Sequence, residues 1–242
     1  MRAITFDFWS TLYRYDSPER ERRVAMLGEL LHRAGYDRPP ERLLAANDAA
    51  WQAWAVIWAQ EHRTEDAHFW LERFLHTVEA TLPPDLFEEA LGKLEAVVLG
   101  PDVHPVEGAV ALVKGLARHH PLGLISDTAL TPGHLIRARL ERDGLLACFT
   151  QLTFSDEVGR SKPHPRVFTH TLKALGATAA EAVHVGDIRR TDIAGAHGVG
   201  MRAIRFAAIF DDRDARWPEG EAVAFSYAEL ADILREWGFR TS

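Results

Sequence analysis

The amino-acid sequence predicts an α/β fold, a doubly wound parallel sheet interrupted by an all-helical insertion. Three observations support this prediction. Apolar runs of strand length recur along the chain, helical patterns alternate with most of them, and one long stretch near the N-terminus contains helical patterns alone. Strands that alternate with helices form βαβ units with right-handed crossovers, so we expect these strands to lie parallel in one sheet.

The predicted strands lack strict alternation of apolar and polar residues, which is typical of strands buried on both faces of a sheet. They are the runs 3–9 (AITFDFW), 122–127 (LGLISD), 151–156 (QLTFSD), 182–187 (AVHVGD) and 201–206 (MRAIRF). Between them, the patterns at 107–120, 131–144, 165–176 and 192–200 predict helices. These elements predict a core domain made of residues 1–14 and 101–242.

Residues 15–100 break the alternation, because they hold several helical patterns and no convincing strand. We therefore expect them to form a separate helical domain. Trp51, Trp54 and Trp58 recur there at helical spacing, which favours a stripe buried in the core of this domain. The alternative is an aromatic wall over a ligand site.

Composition limits the possible partners. The chain has 242 residues and a net charge of −7, which argues against nucleic acid as a partner. Its single cysteine, Cys148, excludes an internal disulfide and indicates a reducing compartment, so we expect a cytoplasmic protein. No apolar run has the length of a signal peptide or a membrane span. The sequence does not distinguish a monomer from a homodimer.

Polar residues end three of the predicted strands. Asp7 lies near the end of the first, Ser126-Asp127 ends the second, and Gly186-Asp187 ends the fourth. Lys162 precedes a helix that begins with proline, and Asp192 lies shortly after Asp187. Each residue alone suits a turn or a helix cap. Because parallel sheets bind ligands beyond the carboxyl ends of their strands, the ordered set predicts a functional site there.

These residues carry a resemblance to a known family. The chain resembles the haloacid dehalogenase (HAD) superfamily, whose four motifs match Asp7-Phe8-Trp9-Ser10-Thr11, Ser126, Lys162, and Gly186-Asp187 with Asp192. The resemblance implies a Rossmann-like core with a helical cap, here residues 15–100, inserted after the first motif. It also implies a hydrolase that acts on a small-molecule substrate.

The resemblance implies a role for each matched residue. Asp7 would be the nucleophile and form a covalent ester that water then opens, with Ser126 and Lys162 as further catalytic residues. Because a carboxylate and a phosphoryl group repel each other, positive charge is needed. Mg²⁺ would be held by Asp7, Asp187, Asp192 and the backbone carbonyl of Trp9. The phosphoryl group would be bound by Thr11, Ser126, Asp127 and Lys162.

Trp9 departs from the pattern of many family phosphatases, which have a second Asp at this position as acid and base. An indole N–H only donates and does not titrate in the accessible range. Haloacid dehalogenases also lack the second Asp, which favours a metal-independent 2-haloacid dehalogenase. However, Asp127, Asp187 and Arg189 stand where those enzymes carry Asn, Ser and Asn. Asp187 beside Asp7 needs a cation, so a Mg²⁺-dependent phosphatase is preferred and the dehalogenase is second.

Two further possibilities remain open at this point. A non-catalytic binding protein would keep the fold while Trp9 blocks turnover, although the retention of Asp7, Lys162 and Asp187 together speaks against it. An arginine could also bind a carboxylate or a second phosphate of the substrate. Arg14 is the first candidate because it follows Asp7 closely. Most arginines of this kind lie on solvated helix faces.

Overall fold

The computed structural model describes residues 2–16 and 19–242. In this part of the chain the strands are β1 (Ala3–Phe6), β2 (Tyr13–Tyr15), β3 (Val103–Pro105), β4 (Leu122–Ser126), β5 (Gln151–Phe154), β6 (Ala182–Gly186), β7 (Arg202–Phe206) and β8 (Ala222–Ala224). The α-helices are α1 (Glu19–Arg33), α2 (Pro40–Glu61), α3 (Ala67–Val78), α4 (Pro84–Glu95), α5 (Ala109–Ala117), α6 (Gly133–Arg142), α7 (Ser155–Val158), α8 (Pro165–Leu175), α9 (Ala194–Gly198) and α10 (Tyr227–Glu236). The helical region predicted for residues 15–100 includes residues 17 and 18, which lie outside the described part.

Six strands form one parallel sheet in the order β5-β4-β1-β6-β7-β8. The five predicted strands are β1, β4, β5, β6 and β7, and the predicted α/β fold is confirmed. Strand β8 and helix α10 were not predicted, since β8 has only three residues and carries little pattern. From β1 the chain builds the sheet outward through β4 and β5, and it then returns to add β6, β7 and β8 on the other side.

This reversal places the carboxyl ends of β4, β1 and β6 side by side. Phe6 pairs with Leu124 of β4 and with Val185 of β6. The residues that follow these strands therefore meet at one edge, which we call the C-terminal edge. In an open parallel sheet, such a reversal of strand order creates the crevice where ligands bind.

The sheet is covered on both faces because successive side chains of a strand point to opposite sides. In β1, Ile4 and Phe6 belong to an apolar cluster that also contains residues of α5, α6 and α10. Ala3 belongs to a second cluster, together with residues of α8 and α9. Both clusters are buried, which explains the nearly continuous apolar character of the central strands.

Helices α1 to α4 and a short 3-10 turn (Ala96–Leu99) form the helical insertion. It has its own apolar cluster, in which Trp70 and Phe74 are fully buried. Trp54 is also buried, as the predicted stripe requires, whereas Trp51 and Trp58 are half-buried. We call the six-stranded sheet and the helices α5 to α10 the sheet domain. An antiparallel ribbon of β2 and β3 forms where the chain leaves and rejoins it.

Strands β2 and β3 were not predicted, because each has three residues and β3 ends in a proline. Their pairing brings Tyr13 opposite Pro105 and Tyr15 opposite Val103, so the two connections run side by side. Among the described residues, none of the helices has the length and apolar character that crossing a bilayer requires.

Candidate active site

Asp7 directly follows β1, and its backbone N–H donates to Val185 of β6 at 2.8 Å. The residue is 5% exposed. One carboxylate oxygen, Oδ1, accepts a hydrogen bond from the Lys162 ammonium. Burial raises the pKa of the Asp7 carboxyl to about 7, although the positive charge of Lys162 acts in the opposite direction. Asp7 is thus a buried carboxyl group with one cationic neighbour.

The Lys162 ammonium lies between two carboxylates. Besides Asp7, it donates to Oδ1 of Asp192 at 2.7 Å, and its own side chain is buried. Burial alone would lower the pKa of Lys162, but the charges of Asp192, Asp7 and Asp127 raise it above its usual value. The ammonium group therefore stays protonated at neutral pH.

Asp192 has both of its carboxylate oxygens occupied by protein donors. Oδ1 lies 2.7 Å from Lys162 Nζ and 2.9 Å from Nε2 of His184. Oδ2 accepts the backbone N–H of Ile188 at 3.1 Å and the Thr191 hydroxyl at 3.2 Å. Although burial acts in the opposite direction, the Lys162 charge and the His184 hydrogen bond lower the pKa of Asp192. The carboxylate is charged and held on all sides.

Asp192 lies in a π-helical turn (Arg189–Ile193) that crosses over the end of β6. A Cβ atom at Gly186 would lie 2.3 Å from Cγ of Asp192. Glycine is therefore required at 186 by the close approach of the Asp192 carboxylate. Turns of this rare type occur frequently at functional sites.

His184 extends this network away from the site. It lies on β6, is fully buried, and its Nδ1 is 2.8 Å from Oγ1 of Thr5 on β1. Since its Nε2 contacts Asp192, both ring nitrogens have partners. Burial lowers the pKa of His184. A run of contacts therefore joins Thr5, His184, Asp192, Lys162 and Asp7.

Asp187 follows β6 and is almost completely buried. Burial raises the pKa of its carboxyl well above the usual value, and the negative charges of Asp7 and Asp192 raise it further. If both groups were ionised, the neighbouring Asp7 and Asp187 carboxylates would carry more negative charge than Lys162 balances, and this repulsion is one cause of the raised pKa of Asp187. Such a pair fits a divalent cation, and Mg²⁺ commonly takes only one or two protein carboxylates. Within residues 2–16 and 19–242, no three His, Cys, Asp or Glu side chains form a metal-binding group.

Ser126 and Thr11 lie at the same edge but make weak side-chain contacts. Ser126 ends β4 and is 1% exposed, and its hydroxyl donates to the Asp127 carbonyl at 3.4 Å. Thr11 is fully buried, and its hydroxyl has no hydrogen-bond partner in the described part of the chain. The Tyr227 hydroxyl donates to the Thr11 backbone carbonyl at 2.9 Å, which fixes the loop after Asp7.

Trp9 faces a cleft between the sheet domain and the helical insertion. Its ring stacks on Tyr15 with ring centres 4.8 Å apart, and it meets Phe8 edge-on. The cleft has a volume of about 180 Å³ and is also lined by Trp51 of α2 and Thr128. Directly after Trp9 the loop turns sharply at Ser10, whose φ is 59°. Part of the tryptophan stripe thus forms an aromatic wall beside the candidate site.

Asp127 connects the helical insertion to the site. Its Oδ2 accepts a hydrogen bond from the indole N–H of Trp58 at 2.8 Å, and its Oδ1 accepts from the backbone N–H of Lys162 at 3.0 Å. The Arg190 guanidinium lies over the Trp58 ring, with its carbon 4.0 Å from the ring centre. We call the packing of Arg190 on Trp58, together with the hydrogen bond from Trp58 to Asp127, the Trp58–Arg190 contact.

Sequence reasoning missed Arg190 and the contact of Trp58 with the site. Arg14, the first candidate for an anion-binding arginine, instead pairs with Asp16 at 3.1 Å, and its side chain is 45% exposed. The adjacent pair Arg189-Arg190, which follows Gly186-Asp187 after one intervening residue, was the one available signal in the sequence.

The sequence of this chain matches a known family and several curated proteins. The family model of haloacid dehalogenase-like hydrolases matches residues 1–200. The chain is 29% identical over 130 residues to the pyrimidine 5'-nucleotidase YjjG of Escherichia coli, covering 53% of this chain and 55% of that protein. It is 32% identical over 114 residues to a glyceraldehyde 3-phosphate phosphatase of Methanopyrus kandleri, covering 45% and 48%. The chain thus spans about half the length of the curated relatives it matches.

A solved structure resembles the fold over nearly the whole chain. It is a 2-haloacid dehalogenase of Pseudomonas syringae pv. Tomato, with a TM-score of 0.67 and 25% sequence identity. The similarity covers 98% of this chain and 100% of that one. The comparisons therefore include relatives of both chemical types that the motifs imply.

Proposed function

Since the chain belongs to the haloacid dehalogenase-like hydrolase family, we propose that it is a Mg²⁺-dependent phosphatase of a small phosphorylated molecule. The names of the curated relatives, a nucleotidase and a glyceraldehyde 3-phosphate phosphatase, support hydrolysis of a phosphate ester. We further propose that residues 15–100 act as a cap over a core of residues 1–14 and 101–242.

One observation carries the proposal: the buried Lys162 ammonium beside Asp7, at an edge where Asp187 adds a further carboxyl group. A carboxylate of Asp7 would attack phosphorus, form an aspartyl-phosphate and release the leaving oxygen with its electron pair. Lys162 would stabilise the negative oxygens of the transferred group, with Ser126, Thr11 and backbone N–H groups near Asp127 as further donors. Water would then open the ester and restore Asp7.

Mg²⁺ held by Asp7, Asp187 and the Trp9 carbonyl would supply the positive charge that the neighbouring carboxylates and the phosphoryl group need. We assign Asp192 to the positioning of Lys162 rather than to direct contact with the metal, because both of its oxygens already accept hydrogen bonds. The same carboxylate keeps Lys162 charged, since it lies against the ammonium.

Trp9 limits the leaving groups that this site handles well. Its ring is packed between Tyr15 and Phe8, and an indole has no proton to give at neutral pH. The leaving oxygen would therefore depart unprotonated or take its proton from water. Acyl phosphates and other activated phosphates suit such a site, because their leaving groups are weak bases.

Acetyl phosphate hydrolysis tests the proposal. We expect hydrolysis in the presence of Mg²⁺, loss of activity on addition of EDTA with recovery on adding Mg²⁺, and no turnover by Asp7→Asn. Trapping of the phosphorylated enzyme by rapid acid quench would place the phosphate on Asp7. Activity that EDTA leaves undiminished, or an active Asp7→Asn variant, would contradict the proposal.

A metal-independent 2-haloacid dehalogenase is the second candidate. Trp9 favours it, because halide leaves without a proton, and so does the 25% identity to the Pseudomonas syringae enzyme over nearly the full chain. Asp187 beside Asp7 favours the phosphatase, since a neutral carbon centre gives two carboxylates no counter-charge. Release of halide from 2-chloropropionate in EDTA would decide for the dehalogenase.

A further inference from the structure

Arg190 is a cationic side chain next to the candidate site that lacks a full set of partners. Its Nη2 atom is buried, and it has no hydrogen-bond partner among residues 2–16 and 19–242. A guanidinium is always charged and carries five N–H donors. Buried donors without partners are rare in folded proteins, so each one calls for an explanation.

The nearby carboxylates of Asp127 and Asp192 do not pair with Arg190, because their oxygens accept hydrogen bonds from other groups. Asp127 accepts hydrogen bonds from Trp58 and from the backbone N–H of Lys162, one on each oxygen. Asp192, two residues after Arg190, has four donors of its own. The guanidinium is thus held near the negative charges of the site without being neutralised by a direct ion pair to either.

Trp58 holds the charged guanidinium of Arg190 in place. The Trp58 ring packs against the guanidinium, whose carbon lies 4.0 Å from the ring centre, and the indole N–H donates to Asp127. The ring that carries the charge is thus itself fixed by a hydrogen bond. Asp127 in turn accepts the backbone N–H of Lys162, whose ammonium lies at Asp7. Arg190 therefore lies one side chain away from the loop that carries Lys162.

We propose that Arg190 binds a second anionic group of the substrate, a carboxylate or a further phosphate, while the phosphoryl group to be transferred lies at Lys162. Guanidinium groups recognise both kinds of anion through paired N–H donors. Trp58 is a positioning residue that holds the guanidinium in place from the helical insertion. The inference rests on the proposed phosphatase function and adds the substrate class, small organophosphates with two anionic groups.

Matched substrates that differ by one charge test the inference. Phosphoglycolate carries a carboxylate where ethyl phosphate carries a methyl group, and glycerol 1,3-bisphosphate carries a phosphate that glycerol 3-phosphate lacks. In the full-length protein, we expect a lower KM for the doubly anionic member of each pair. Arg190→Met should raise that KM by at least about tenfold, which corresponds to ~1.4 kcal/mol, and leave the KM of the other member unchanged.

Two variants make the result specific. Arg190→Lys keeps the charge and should restore part of the preference. Arg189→Gln is the matched control, because Arg189 points its Nε to the Pro218 carbonyl at 3.1 Å, and KM should stay within about twofold. Equal losses on both members of a pair would show a merely structural role for Arg190 and overturn the inference.

A binding measurement on the wild-type protein covers the case in which Arg190→Met does not fold or the small esters are not hydrolysed. Phosphonoacetate and propylphosphonate should compete with acetyl phosphate, and phosphonoacetate should inhibit at a concentration at least about tenfold lower. Equal inhibition by the two phosphonates would overturn the inference while leaving the phosphatase proposal intact. If acetyl phosphate itself is not hydrolysed with Mg²⁺, the phosphatase proposal fails and this inference fails with it.

Discussion

The contacts that join Asp7, Lys162, Asp192 and His184 form what we call the Lys162–Asp192 network. This network and the Trp58–Arg190 contact lie at the same edge of the sheet but differ in how their charges are satisfied. Lys162 contacts Asp7 and Asp192, and Asp192 is held by four donors from the sheet domain. Arg190 packs on a ring from the helical insertion, and one of its buried nitrogens has no partner among the described residues.

This difference in how the two cations are satisfied fits two kinds of role, a fixed chemical step and the selection of a substrate. Groups that take part in a fixed chemical step work best when they are held before the substrate arrives, because no reorganisation is then needed. Groups that select a substrate need an open donor that the right ligand completes. Under the proposed function, the first kind would come entirely from residues of the sheet domain, whereas the second would depend on how the helical insertion packs against it.

The largest expected effect comes from removing the Lys162 ammonium, which lies at the centre of the Lys162–Asp192 network. Lys162→Met leaves the buried charges of Asp7 and Asp192 without their shared partner. We expect kcat/KM for acetyl phosphate to fall by about 10²–10³. The free energy of unfolding should fall by about 3–5 kcal/mol, the usual cost of removing one partner of a buried pair. Steady-state kinetics and chemical denaturation measure the two effects.

Lys173→Met is the matched control for this change. Lys173 lies on the exposed side of α8, the helix that follows Lys162, and its loss should change stability by no more than about 0.5 kcal/mol. If Lys162→Met keeps wild-type activity, Lys162 does not act on the transferred group.

A smaller effect is expected from disturbing Asp192 without changing any charge. Gly186→Ala would place a Cβ atom 2.3 Å from Cγ of Asp192, so the carboxylate must move. We expect the free energy of unfolding to fall by about 1–3 kcal/mol, as for other overpacked sites. Activity should fall by about tenfold, because Lys162 loses its well-placed partner.

Gly198→Ala provides the comparison, since a Cβ atom at Gly198 meets no atom of the described residues within 4 Å. This helical position should gain up to about 0.5–1 kcal/mol from the change. Equal stability of Gly186→Ala and Gly198→Ala would show that the carboxylate adapts without cost, and the network would be less rigid than its contacts indicate.

The smallest effect is expected at the Trp58–Arg190 contact. Trp58→Phe removes the N–H that binds Asp127 at 2.8 Å but keeps a ring under Arg190. Because Trp58 is half-buried, water replaces part of the lost bond, and we expect a cost of about 0.5–1 kcal/mol. For doubly anionic substrates KM should rise about two- to fivefold, with kcat unchanged.

Trp237→Phe is the control for this substitution. Arg202 lies over the Trp237 ring at 3.4 Å, so the variant alters a second arginine–tryptophan pair without touching the candidate site. KM should not change in this variant. A rise in KM for both Trp58→Phe and Trp237→Phe would point to a general loss of structure rather than to substrate positioning.

Much of the fold was predictable because its signals are local. The apolar runs of β1, β4, β5, β6 and β7 identify strands whichever way the chain packs, and their alternation with helices implies a parallel sheet. Strands β2, β3 and β8 have three residues each and were missed. Strands this short are stabilised by pairing with a neighbour, which no local pattern reports.

The candidate site was predictable to a similar extent. Strand ends that share an edge bring Asp7, Ser126 and Asp187 to one place, and the structure adds the contacts of Lys162 and Asp192. The catalytic and metal-binding roles of these residues stay predictions. The contacts of Arg14 and Arg190 were not predictable, because the sequence around an arginine does not say which group its side chain reaches. Arg14 pairs with Asp16 at the surface, whereas Arg190 packs on the ring of Trp58.

The sequence by itself determined the parallel sheet, the helical insertion and the polar residues at the strand ends, since each depends on the order of residues over a short range. Only the tertiary structure decided that Asp192 has no free oxygen and that Trp58 meets Asp127 and Arg190. The Lys162–Asp192 pair and the Trp58 contacts join residues that lie far apart in the chain. The Trp58 contacts also depend on the packing of the helical insertion against the C-terminal edge, where burial turns small changes in distance into large changes in electrostatic energy.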